Sequence, residues 1–86
     1  MFANVSDPSA GAPSADPYTR LYDYDAASGA MTYEGWAKAG IATSQALWAI
    51  RRYTYNANNA VTRIDWADGN SAQDNVWDNR ATLTYA

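Results

Sequence analysis

The stretch that decides the fold reads Trp48-Ala49-Ile50-Arg51-Arg52-Tyr53-Thr54-Tyr55, then Asn56-Ala57-Asn58-Asn59, then Ala60-Val61-Thr62-Arg63-Ile64-Asp65-Trp66-Ala67. Two runs alternate with period two, and β-branched and aromatic residues dominate them, which predicts a pair of half-buried strands. The Asn-rich link between them tolerates left-handed backbone and predicts a tight turn. Pairing the runs as a hairpin sets Trp48, Ile50, Ile64 and Trp66 on one expected buried face. Arg51, Arg63 and Asp65 then fall on the other, within reach of cross-strand ion pairing.

Outward from this hairpin the same grammar repeats. Residues 18–25 place Tyr18, Arg20, Tyr22 and Tyr24 on one face and Thr19, Leu21 and Asp23 on the other. Ala26-Ala27-Ser28-Gly29 supplies a turn, and residues 30–38 alternate again, so a first hairpin is expected. Gly35, inside that second run, marks a bulge or a close backbone approach. Residues 39–44 are small and irregular and read as a loop. Asp68-Gly69-Asn70 is a break. Residues 71–79 lack alternation and suggest two helical turns after an Asn or Ser cap. Residues 80–85 alternate once more. The expectation is a mainly β domain over residues 18–86, a small antiparallel sheet, sandwich or barrel of about five strands with one short helix near 71–79.

Residues 1–17 differ in kind. Pro8, Pro13 and Pro17 bias their predecessors toward extended backbone, and the larger apolar groups are few, so this segment reads as an N-terminal arm, extended or disordered. Phe2 and Val5 are its candidate anchors on a neighbouring subunit. Asn4-Val5-Ser6 matches an N-glycosylation triplet, which matters only in a secreted setting.

Composition narrows the function. The chain has 86 residues and is 48% hydrophobic, but 18 of those residues are Ala and only nine are Val, Ile or Leu. Four Trp, seven Tyr and one Phe must supply most of the large apolar area. A domain of this size buries only about 60% of its unfolded surface and commonly needs a staple or a partner. With no Cys and no His, disulfides, thiolate metal sites and the usual nucleophile-base pairs are unavailable. Nine acids against six bases leave a net charge of -3, the wrong field for a phosphate backbone, so no nucleic acid is expected. No apolar run reaches the roughly 20 residues of a membrane span, and none is expected to enter a membrane.

Carboxylates recur in pairs, Asp23 with Asp25, Asp65 with Asp68 and Asp74 with Asp78, but so small a domain offers little room for a glycosidase cleft. The acidic loops place Ala or Gly at positions where a calcium site needs oxygen ligands. No catalytic residue, no metal ligand, no cofactor and no enzymatic activity are expected. Tyr18, Tyr22 and Tyr24, three phenols along one strand face, exceed what a small interior needs and form a candidate assembly interface. A Trp and Tyr platform would alternatively suit surface glycans.

The residues Tyr18-Thr19, Tyr33 with Gly35 and Ala37, Thr43-Ser44, Trp48-x-Ile50-x-Arg52, Trp66-Ala67-Asp68-Gly69-Asn70 and Asn75-x-Trp77-Asp78-Asn79-Arg80, ending in Leu83-x-Tyr85, together make one pattern. Over about 68 positions it resembles that of small virion-associated proteins encoded in tailed-bacteriophage and prophage genomes. The resemblance implies a structural protein of a virion or extracellular assembly, with identical subunits and other virion proteins as partners. It carries over no catalytic residues. Trp77, Asp78 and Arg80 are expected to be structural, with Trp77 buried and Asp78 capping a helix or pairing with Arg52, Arg63 or Arg80.

Overall fold

The computed structural model describes residues 17–86, so Phe2, Val5 and the arm up to residue 16 lie outside the described residues. The architecture is mainly β, as the alternation predicts. Strands β1 (Tyr18–Tyr24), β2 (Met31–Lys38), β3 (Ala46–Tyr55) and β4 (Val61–Trp66) form an antiparallel sheet in the order β1-β2-β3-β4. The short β5 (Asn75–Val76) pairs with the beginning of β3. A 3-10 helix over Trp77–Thr82 follows.

The turns use the residues singled out from the sequence. Asn59 adopts φ of 62°, and the Asn56 side chain accepts the backbone N–H groups of Asn58 at 2.9 Å and Ala60 at 3.1 Å. An Asn side chain that satisfies two loop donors holds the hairpin closed without help from the core. In the β1–β2 turn Asp25 accepts the Ser28 N–H at 2.9 Å, and these bonds to Ser28 hold its carboxyl below the usual range.

Both hairpins carry a β-bulge just after the turn. The pairing steps from Tyr24↔Met31 to Asp23↔Tyr33, and from Tyr55↔Val61 to Thr54↔Arg63, so Thr32 and Thr62 are the extra residues. Each bulge threonine donates its hydroxyl to a carbonyl of the opposite strand, Thr32 to Asp23 at 3.0 Å and Thr62 to Thr54 at 3.2 Å. The second bulge corrects the expected buried face. A slip of one residue moves every following side chain to the other side of the sheet. Without Thr62 looped out, the register would continue to set Ile64 and Trp66 beside Ile50. With it, Tyr53 faces Ile64, Arg51 faces Trp66 and Arg52 faces Asp65. Ile64 is therefore 44% exposed rather than buried, and Trp66 is half-buried on the face opposite Trp48 and Ile50.

The core lies on the other face. Trp48, Ile50, Ala37, Ala67 and Trp77 form its centre, with Leu21, Tyr33, Ile41, Leu83 and Tyr85 packed around them. Trp48 and Ile50 are its largest fully buried side chains, which shows how thin the interior is. The C-terminal segment is its lid. The two turns expected over residues 71–79 occur instead as the 3-10 helix Trp77–Thr82, and residues 80–85 do not form a full strand. Three anchors account for this. Trp77 lies on Gly35, Arg80 pairs with Asp23 at 2.9 Å, and the Tyr85 hydroxyl donates to the Arg80 carbonyl at 2.7 Å. A chain that must span the sheet between these points has no neighbouring strand to pair with until Tyr85 meets Ala67 in a single bridge.

Candidate interaction face

The face opposite the core follows from the register. β1 contributes Tyr18, Arg20, Tyr22 and Tyr24, β2 contributes Glu34, Trp36 and Lys38, β3 contributes Ala49, Arg51 and Tyr53, and β4 contributes Ile64 and Trp66. Among the described residues no strand or helix packs over it. Only the loop 71–73 borders one end.

Its centre is a charged pair under aromatic cover. Glu34, the chain's one glutamate, is buried and accepts from Arg51 Nε at 3.0 Å and from the Tyr53 hydroxyl at 2.5 Å. The Arg51 guanidinium lies 4.8 Å from the Trp36 ring, 5.5 Å from Trp66 and 5.5 Å from Tyr53. Trp36 and Trp66 themselves lie 5.5 Å apart and tilted by 34°. A planar guanidinium accepts this double role, bonding in its plane and stacking on its faces, where an ammonium would not. Burial, followed by the bond to Glu34, raises the Tyr53 phenol above its ordinary pKa.

Around this centre the face is exposed and apolar at its margins. Tyr18, Tyr22 and Tyr24 are 42%, 44% and 56% exposed, and Val61 and Ile64 stand open on the far edge. Toward the other end Tyr18, Arg20, Trp36, Trp66 and Gln73 line an open groove of about 510 Å³. Gln73 is shared with a smaller hollow of about 300 Å³ that Lys38, Ile41 and Leu47 line.

The structure thus brings Tyr18, Tyr22, Tyr24, Ile64 and Trp66 onto one face, and Trp48, Ile50, Trp77 and Arg80 onto the other. Arg80 pairs with Asp23, while Asp78 is exposed and contributes its backbone N–H to the Thr43 carbonyl at 3.2 Å. Asp65 is buried against Arg63 at 2.7 Å and Arg52 at 3.5 Å, so Arg51 is not in that cluster as the unbulged register predicts. Arg52 also stacks 4.9 Å from the Tyr85 ring, and its Nε finds no hydrogen-bond partner among the described residues.

Sequence reasoning missed Glu34 and Arg51 as a unit. The signal was a lone Glu inside an apolar strand, a residue that demands a cation wherever the strand is covered. The paired carboxylates have separate tasks: Asp23 and Asp65 hold arginines and Asp25 closes a turn. The face offers stacking surface, phenol hydroxyls and guanidinium charge. The chain finds no match among protein-family models, among curated proteins or among solved structures.

Proposed function

We propose that this chain is a non-enzymatic structural protein that self-assembles through the aromatic face of its sheet, as a part of a virion or an extended extracellular assembly. The observation that carries the reading is the asymmetry of the sheet: the hydrophobic cluster of Ala37, Trp48, Ile50, Ala67 and Trp77 lies on one face, while Tyr18, Tyr22, Tyr24, Val61 and Ile64 stand exposed on the other. A thin interior gains most from covering such a face, and aromatic residues with arginine are the composition that interface centres favour.

The edges support the same reading. At β4 the C-terminus closes the last residue, with Trp66 and Ala86 exchanging backbone bonds at 3.1 and 3.0 Å. At β1 no described strand pairs with the outer side, and an edge strand of seven residues offers backbone groups for a neighbour to pair with. A head-to-tail contact that does not close on itself gives a filament, whereas an isologous one gives a dimer.

The test is sedimentation of the full chain across a wide concentration range with negative-stain imaging in parallel. Association that the double change Tyr22→Ser and Tyr24→Ser weakens by tenfold or more is the expected result. A monomer at every concentration would overturn the reading.

A further inference from the structure

We propose that the groove beside the loop 71–73 binds a neutral hexopyranose unit of a glycan, with the sugar ring on Trp36 and Trp66 and its hydroxyls bonded to Gln73 and Ser71. The groove takes its form from the register. Ala49 pairs with Trp36, and Trp66 pairs with Arg51 two residues further along β3, so both indoles stand on the same face beside a methyl side chain. Their centroids come within 5.5 Å of each other at a tilt of 34°, and both line the groove together with Ala49.

The rings are fixed before any ligand arrives. The Arg51 guanidinium packs on Trp36 at 4.8 Å and on Trp66 at 5.5 Å, and the buried Glu34 holds that guanidinium at 3.0 Å. The loop wall is held as well: the Ala72 N–H donates to the Asn70 side chain at 2.9 Å, and Asn75 pairs with Trp48. Groups already in position lose little conformational freedom on binding. At about 510 Å³ the groove has the size of a small-molecule site, and being open it admits one unit of a longer chain.

The groups left for a ligand are neutral. Arg20 and Tyr18, on the β1 side, already have partners, Arg51 and Glu34 satisfy each other, and no carboxylate lines the groove among the described residues. The half-buried Gln73 and the exposed Ser71 also line it, and their side chains make no hydrogen bond to the described residues. An amide and a hydroxyl both donate and accept, as a sugar hydroxyl does. A charged ligand would lose water here with no counter-charge to meet it, and a wholly apolar one would strip water from Gln73 and Ser71 without replacing it. A pyranose answers both demands, because its ring face presents C–H groups to the negative faces of the indoles while its edge carries hydroxyls. The groove takes up only one end of the aromatic face, so Tyr22, Tyr24, Val61 and Ile64 remain for contacts between copies, and sugar binding does not depend on whether copies associate.

The test is titration of the full chain with neutral tetrasaccharides of glucose, mannose, galactose and N-acetylglucosamine, followed by tryptophan fluorescence. At least one should give a saturable change with a dissociation constant of about 1 mM or tighter. Gln73→Ala with Ser71→Ala should weaken that binding by about tenfold or more, through the loss of two neutral hydrogen bonds. Near-UV circular dichroism checks that the double variant keeps its fold, and Gln73→Leu alone stands in if it does not. Silence across the panel up to about 10 mM would overturn the proposal. Binding indifferent to Gln73 and Ser71 would do the same, as would a response confined to polygalacturonate and abolished by salt, which would assign the groove to an anion. Sedimentation of the unmodified chain decides the assembly reading separately.

Discussion

Gly35 and Trp77 meet so closely that a side chain on the glycine has no room: a Cβ at residue 35 would lie 2.6 Å from Trp77 Cε3, 2.7 Å from Cζ3 and 3.3 Å from Trp48 Cε3. The contact joins the middle of β2 to the C-terminal lid. It lets two indoles, with centroids 6.0 Å apart, share one shallow layer above the sheet. Arg80 lies 4.6 Å from the Trp77 ring and reaches Asp23 on β1, so the same tryptophan organises the lid across three strands.

Gly35→Ala should therefore destabilise the domain by about 1–3 kcal/mol, although alanine favours strand geometry over glycine. Trp77→Ala, which removes a side chain only 6% exposed, should cost about 3–5 kcal/mol. Thermal or urea unfolding checks both. Because they act on one contact, Gly35→Ala in a Trp77→Ala background should cost clearly less than on its own. Additive effects would show that the two residues are not packed as described.

Thr62 sets the register of the second hairpin, and Thr62→Val should lose its bond to the Thr54 carbonyl while keeping the branched shape. A loss of about 0.5–1.5 kcal/mol is expected, with the fold unchanged. Deleting Thr62 is the sharper experiment. It favours the unbulged pairing that would move Ile64 and Trp66 to the core side, so the tryptophan emission of the deletion variant should differ from that of the parent. An unchanged spectrum with unchanged stability would count against the bulge.

Glu34→Gln leaves Arg51 without its counter-charge in the centre of the aromatic face. Arg51 keeps some access to water, with its side chain 29% exposed, so a cost of about 1–3 kcal/mol is expected. A double-mutant cycle of Glu34→Gln with Arg51→Met measures the coupling. A value near zero would reduce the pair to a surface bridge.

Alkaline stability should depend on Tyr85. Burial first, then the neighbouring Tyr33, pushes its phenol up to about 12, against the attraction of Arg52 and Arg80. A raised folded-state pKa gives a contribution fully present below the ordinary value near 10 and lost as pH climbs toward 12. Below pH 10, Tyr85→Phe should be less stable than the parent by about 0.5–1.5 kcal/mol, the bond to the Arg80 carbonyl. Between pH 10 and 12 that difference should shrink, because only the parent has this phenol to ionise. Urea midpoints at pH 8 and pH 11 decide it, and a constant difference would place Tyr85 in water.

Much of this molecule is legible in its residues taken in order. Period-two alternation and the Asn and Gly turns are local properties, dictated by backbone sterics and by which side chains suit a pleated surface. The alternation also sets Tyr18, Tyr22 and Tyr24 on one side of β1, because neighbours two apart share a face whatever the strand pairs with. Which side of the sheet Ile64 and Trp66 take was not legible, since a single bulge residue reverses it and a bulge is chosen by the pairing of two strands together. The lid was hidden for a related reason. Residues 80–85 alternate like a strand, but Trp77 on Gly35, Arg80 on Asp23 and Tyr85 on Ala67 are contacts between distant parts of the chain, and together they bend the segment across the sheet. Composition determined that the interior would be thin, and only the tertiary structure decided which aromatics fill it and which stand outside, because that division follows from register and not from the kind of residue.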